Sequence, residues 1–207
     1  MPKVSEEHRS AQRERIQEAA ITVARHKGLA NLTMGDIINE SGLSAGAIYG
    51  YYKGKDALVV DLARTVMTSR REALTALAQL PSPPPPAQAV REMLQEMPPT
   101  WLKDGLLLQF WGSATTEPEI HALASELLGT LQDGLRAYLA SWLAHRGLPA
   151  EEAERRALAI APAFSGVLQG FVLQASLLGE HFDEQGYLDG LAPLLDGTLL
   201  DGSPRDR

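Results

Sequence analysis

The residues from Thr33 to Leu58, TMGDIINESGLSAGAIYGYYKGKDAL, hold the richest local set of groups able to do chemistry in this chain. Hydroxyls stand at Thr33, Ser44, Tyr49 and Tyr51, and an ammonium at Lys55. Groups of this kind hydrogen-bond to phosphates and bases; covalent catalysis asks for more. Residues 42–46, Gly-Leu-Ser-Ala-Gly, do spell the G-x-S-x-G nucleophile elbow. That motif needs a strand before the serine, and acid and histidine partners after it. The residues before Gly42 read as helix instead, so Ser44 reads as a helix cap. The five histidines (His8, His26, His121, His145, His181) have no metal-ligand spacing. The chain has no cysteine, so disulfides and thiol chemistry are excluded. No catalytic residue, metal or cofactor is assigned, and the chain is not expected to be an enzyme.

Two short helices position these groups. Ile37 and Ile38 give the first its apolar side; Ile48, Tyr49 and Tyr52 do the same for the second. Between them Ser41-Gly42-Leu43-Ser44 makes a tight turn and a new helix start. Glycine permits the positive φ that ends one helix, and Ser44 is a good N-cap for the next. Thr33 can cap the first, with Leu32 stapling its start. Two helices joined by a short glycine-containing turn send the second helix into the DNA major groove.

The same run resembles the N-terminal DNA-binding region of TetR-family transcriptional repressors. Thr33, Ile37, Ser41-Gly42-Leu43-Ser44, Gly46, Tyr49, Tyr51-Tyr52, Lys55 and Leu58 carry the resemblance. It covers the first quarter of the chain closely; the remainder matches in length and helical character. The resemblance implies a helix-turn-helix head over residues 1–54 and a larger helical ligand-binding and dimerisation domain over 55–207. It also implies a homodimer and a response to a small molecule.

Composition fits that reading. The chain has 207 residues, 44% of them hydrophobic, enough for one sizeable core or a small domain joined to a larger one. Ala, Leu, Glu, Gln and Arg dominate and β-branched alternation is nearly absent, which points to an all-α protein. The net charge of −7 looks wrong for a nucleic-acid binder until it is divided. Residues 1–80 carry 11 Lys and Arg against 9 Asp and Glu, whereas residues 81–207 carry 8 against 17. The basic excess sits with the helix-turn-helix, and local charge governs DNA affinity. The N-terminus shows no secretion signal, so a cytoplasmic location is expected.

Periodicity and breakers predict about nine helices. They run over 8–27, 33–40, 44–50, 55 to the prolines, 87–97, 100–114, 116–146, the segment after Pro149 to about 179, and 184–200. Residues 81–86, Pro-Ser-Pro-Pro-Pro-Pro, end the fourth and read as a surface connection. Thr116 with Glu119 reads as a capping box and Asp183 as a cap. Residues 201–207 read as disordered. Residues 157–179 contain no charge and are long enough to span a bilayer, but their glycines, serines, glutamines and proline favour a buried helix.

By resemblance, residues 44–50 are the recognition helix. Ala45, Gly46, Ala47 and Gly50 offer no polar side-chain atom, so readout should lean on Ser44, Tyr49, thymine methyls and DNA shape. Thr33, Tyr51 and Lys55 are expected on phosphates, with Lys3 and Arg9 as an arm. Met93, Met97, Trp101, Phe110, Trp111, Tyr138, Trp142 and Phe164 are candidate pocket residues, with Gln109, Gln169 and Gln174 as polar contacts. Such a lining suits an apolar or flat aromatic effector. Gly166 and Gly170, four apart, with Phe171, Leu191 and Leu195, are candidates for a dimer interface. The expected partners are a double-stranded, near-palindromic DNA operator, that effector and a second copy, with no membrane. The expected function is a repressor released by the effector; a same-fold activator, or a regulator answering to a protein partner, is the alternative.

Overall fold

The computed structural model describes residues 6–197 apart from 96, 98 and 103. Among the described residues all regular structure is helical. The α-helices are α1 (Glu6–Lys27), α2 (Met34–Ser41), α3 (Ala45–Tyr51), α4 (Lys55–Gln79), α5 (Pro86–Gln95), the single turn α6 (Pro99–Leu102), α7 (Leu106–Ser113), α8 (Pro118–His145), α9 (Ala150–Leu178) and α10 (Glu184–Ala192). A 3-10 turn, Gly179–His181, and a π turn, Pro193–Gly197, flank α10. The expectations placed on Lys3 and on residues 198–207 lie outside the described residues.

Local chemistry sets the ends of the first elements. Thr33 is extended (φ −124°) and its hydroxyl accepts the Asp36 N–H at 3.2 Å, which starts α2. Gly42 stops α2 in the left-handed region at φ +65°, its N–H donating to the Ile38 carbonyl. Ser44 then accepts the Ala47 N–H at 3.2 Å and starts α3. Leu32, Ile37, Ile48 and Leu58 close over Ile16, Ala20 and Val23 of α1 to make a separate small core.

Two further cores follow. One joins Val59 and Ala63 of α4 to Phe110 of α7 and Ile120, Leu123 and Leu127 of α8. The largest gathers α4, α5, α8, α9 and α10 around Leu135, Tyr138, Leu139, Phe164 and Phe171. Helix α4 contributes to all three, through Leu58, Val59 with Ala63, and Leu74. It therefore runs from the helix-turn-helix into the heart of the C-terminal half. Helix α8 packs most extensively with α9 and α4.

Several predicted elements differ in detail. The single helix expected over 100–114 is broken, because Gly105 takes φ +71° and α7 starts afresh after it. The Thr116 capping box does not form: Glu117 is the extended residue before Pro118, and the Thr116 hydroxyl turns back to the Ser113 carbonyl. Asp183 does cap α10, accepting the Gly186 N–H at 2.8 Å. The proline connection is anchored rather than loose. Pro83 and Pro86 are buried, and the Tyr138 hydroxyl donates to the Pro84 carbonyl at 2.6 Å.

Candidate nucleic-acid interface and effector cavity

Helix α3 turns one residue inward and most of the others out. Ile48 is completely buried, while Ser44, Ala45, Gly46, Ala47, Tyr49 and Gly50 are exposed. Tyr49 is 47% exposed, unusual for an aromatic with a small core beside it. A Cβ built on Gly46 or Gly50 would meet nothing within 4 Å. The outer surface is therefore smooth backbone and methyls, with one phenol and one serine hydroxyl.

The expected phosphate contacts are less uniform. The exposed Thr33 hydroxyl also donates to the Asp36 carboxylate at 2.8 Å. That carboxylate, held below its ordinary value by its hydrogen bond to Lys27 and then by Thr33, ties α1 to α2. Tyr51 is half-buried against the head core. Lys55 is half-buried, its Nζ 3.5 Å from the Ala30 carbonyl at the first turn of α4. Arg9 is exposed on α1. Lys53, which is not among the expected phosphate contacts, is exposed in the loop joining α3 to α4. Its signal was only its place, two residues beyond Tyr51.

A charged clamp fixes the head to α4. The Asp61 carboxylate accepts the Tyr52 hydroxyl at 2.6 Å, Gln17 Nε2 at 2.8 Å and Arg13 Nε at 2.7 Å, and pairs with Arg13 through Nη2 as well. One side chain of α4 thus holds two of α1 and the residue ending α3. Burial alone would raise the Asp61 carboxyl; the Arg13 and Tyr52 hydrogen bonds together reverse that and hold it below its ordinary value. Burial, then the Asp61 carboxylate, push the Tyr52 phenol up to about 12. The Arg13 guanidinium is raised, first by its bond to Asp61, and stays charged.

The candidate pocket residues separate into three groups. Met93, Met97, Trp111 and Gln169 line one apolar cavity of about 80 Å³, walled on the α4 side by Val66 and Arg70. Arg70 is buried and its Nη1 donates to the Met93 carbonyl at 2.7 Å. Trp101 and Phe110 line a different cavity of about 30 Å³, between α1, α4 and α7. Tyr138, Trp142 and Phe164 are at most 2% exposed within the main core and border neither cavity. Gln109 does not face the larger cavity: its Oε1 accepts the Leu29 N–H at 2.5 Å, just past the end of α1.

The dimer candidates also divide. Phe171, Leu191 and Leu195 are buried in the protomer's own core, so they are not surface residues. Phe171 sits edge-on to Phe182 and Tyr187, with ring centroids 5.1 and 5.3 Å away. Gly170 is close-packed within the chain as well, its Cβ position 3.3 Å from the Tyr187 hydroxyl. Gly166 is exposed and open. It lies on a stripe of α9 with exposed Leu158, Pro162, Leu173 and Leu177, spaced to fall on one helix face. By length and composition α9 could cross a membrane, yet its other face packs on α8 through Ala157, Phe164, Leu168 and Val172.

Comparison with known proteins bears on this arrangement. Residues 16–62 match the family described as bacterial regulatory proteins, tetR family. The chain is 27% identical over 195 residues to the HTH-type transcriptional regulator BetI of Yersinia pestis, covering 89% of this chain and 90% of that one. It is 40% identical over 57 residues to the HTH-type transcriptional regulator YfiR of Bacillus subtilis, a match spanning 28% of each chain. In fold it resembles a TetR transcription regulator from Haloarcula marismortui, with a TM-score of 0.68 at 18% identity, over 91% of this chain and 98% of that one. It also resembles SmeT, solved as a complex with triclosan, with a TM-score of 0.64 at 19% identity, over 95% and 99%.

Proposed function

This chain belongs to the TetR family of DNA-binding transcriptional regulators, and from that premise we propose that it is a repressor released from a near-palindromic operator by an apolar or aromatic small molecule. Ser44, Ala45, Gly46, Ala47, Tyr49 and Gly50 face the major groove. Thr33, Tyr51, Lys53 and Lys55 lie along the phosphates. The effector binds in the cavity bordered by Met93, Met97, Trp111 and Gln169. A second copy covers the Leu158–Leu177 stripe of α9, which gives the two-fold symmetry an inverted operator needs. The protein acts in the cytoplasm and its role is binding rather than catalysis, as its relatives' names as regulators support.

The observation that carries this reading is the position of the cavity against α4. Val66 and Arg70 form part of its wall, and the same helix begins at Lys55 beside α3. At about 80 Å³ the cavity is smaller than the roughly 150 Å³ of an engineered apolar cavity known to take a benzene ring. An aromatic effector must therefore displace the walls, and a ligand that binds better to a displaced state shifts the population toward it. Fold neighbours lend support: SmeT was solved with triclosan and EbrR, described as multidrug binding, with imidazole.

The test begins with selection of duplexes from a random pool by the purified protein at fixed salt, since phosphate-driven affinity varies steeply with salt. The selected duplex is then titrated with and without a panel of apolar and aromatic compounds. An inverted-repeat consensus, released by one compound, is the expected result. A consensus that no compound releases would sink the effector reading and leave the DNA reading standing.

A further inference from the structure

Helix α7 is only two turns long and has a different neighbour on each side. Leu107 and Trp111, four residues apart, border the larger cavity. Gln109 points the other way and holds the Leu29 N–H at 2.5 Å. Asp104, just before the helix, pairs with Arg25 of α1 at 2.6 Å. Leu106 and Phe110 share the wall of the smaller cavity with Ala24 and Leu29 at this end of α1 and with Val59 and Ala63 of α4. The two polar contacts fall on the last turn of α1 and the loop after it, while Phe110 also packs with Val59 and Ala63 of α4.

The head is consequently fastened at two places. Asp61 of α4 holds Arg13 and Gln17 near the middle of α1, together with Tyr52 at the end of α3. Gln109 holds the far end of α1. A change at the cavity that shifts α7 against α4 moves one fastening relative to the other. Because α1, α2 and α3 share one small core, the shift reorients them together.

We propose that Gln109 is a positioning residue through which α7 passes the state of the cavity to the DNA-binding head, as a second lever beside α4. The inference rests on α3 being the DNA surface. Coupling between two sites is reciprocal, so DNA binding must in turn be felt at the cavity wall. This allows a test that needs no knowledge of the effector.

Full-length protein is labelled with 5-fluorotryptophan, giving one fluorine resonance each for Trp101, Trp111 and Trp142. Trp111→Phe assigns the resonance on the cavity wall. Duplex selected from a random pool is titrated to saturation. The Trp111 resonance is expected to move, with Trp142 as the internal reference. In Gln109→Leu, which removes the acceptor, duplex affinity should stay within about threefold while the Trp111 response largely disappears. Gln109→Glu keeps an acceptor and should restore the response. Asp104→Asn, a milder loosening of the same grip, should roughly halve it and serves if Gln109→Leu does not fold. An unmoved Trp111 in the wild-type protein at saturating duplex overturns the proposal. So does an equal shift in Gln109→Leu, or in Asp104→Asn where that variant stands in for it. Failure to select any duplex would instead sink the reading of α3 on which the proposal stands.

Discussion

Replacing Gly50 with alanine should stabilise the protein and weaken its hold on DNA. Glycine inside a helix costs about 0.5–1 kcal/mol relative to alanine, through the backbone freedom lost on folding. Helix α3 has seven residues and carries two glycines, Gly46 and Gly50. Neither would meet anything within 4 Å if given a Cβ, so the protomer's own packing does not require them. Alanine at 50 should therefore raise the melting temperature by up to about 2–4 °C in a chain of this size. The same methyl projects from the outer face beside Tyr49, where α3 is read as lying against DNA. Backing the helix off by a methyl's depth loosens several contacts at once. A loss of about tenfold in duplex affinity, or roughly 1.4 kcal/mol, is a fair lower bound. Fluorescence anisotropy at fixed salt, paired with thermal unfolding, measures both signs. Gly129→Ala on the exposed side of α8, equally open, is the control and should stabilise without touching affinity. Unchanged or tighter binding by Gly50→Ala would mean that this face does not approach DNA closely.

Three further outcomes follow from the packing and the charges. Gly134→Ala should destabilise by about 1–3 kcal/mol, because its Cβ would lie 2.9 Å from Cδ1 of the fully buried Leu74 where α8 crosses α4; denaturant midpoints check this. Asp61→Asn should cost about 1–3 kcal/mol near neutrality by leaving Arg13 and Tyr52 short of their acceptor. Since the folded Asp61 pKa lies below the ordinary 3.8, its contribution is present above that value and is lost as pH falls through the folded one. The gap between variant and wild type should accordingly narrow below pH 3.8, as acid unfolding curves would reveal. Leu173→Glu with Leu177→Glu should turn a dimer into monomer in light scattering and weaken duplex binding, since both side chains are exposed on the bare face of α9.

What the sequence made legible was largely local. Thr33, Gly42 and Ser44 act within three or four residues of themselves, and the turn they specify forms as their types require. The all-helical class was equally plain, since composition and period bear on it directly. The contacts that join elements were not legible. Asp61 meets Arg13 across 48 positions and Gln109 meets Leu29 across 80, and no spacing rule connects such pairs. Periodicity also marks an apolar face without saying what it meets. Phe171, Leu191 and Leu195 are apolar residues of the kind an interface uses, yet all three are buried in the protomer's own core. The exposed stripe lies on another face of the same α9, through Leu158, Gly166 and Leu173, where smaller and scattered residues gave a weaker signal.

The smoothness of α3 bears on how such a protein can be switched. Seven residues offering two hydroxyls and a few methyls can supply only modest discrimination per half-site, because each good bidentate base contact contributes about 1–3 kcal/mol and none is available from alanine or glycine. For the proposed dimer, useful affinity then depends on engaging two half-sites at once. The second engagement is favoured only while the spacing of the two heads matches that of the DNA. A coupling of about 1–3 kcal/mol, ordinary for linked sites, is small beside a tight interface but comparable to the contribution of one weak head. On the proposed reading, two fastenings on α1, at Asp61 and Gln109, would convert a small shift between α4 and α7 into a change of head angle. A strongly reading recognition helix would resist such a change; α3, read as lying against DNA, would yield to it on this proposal.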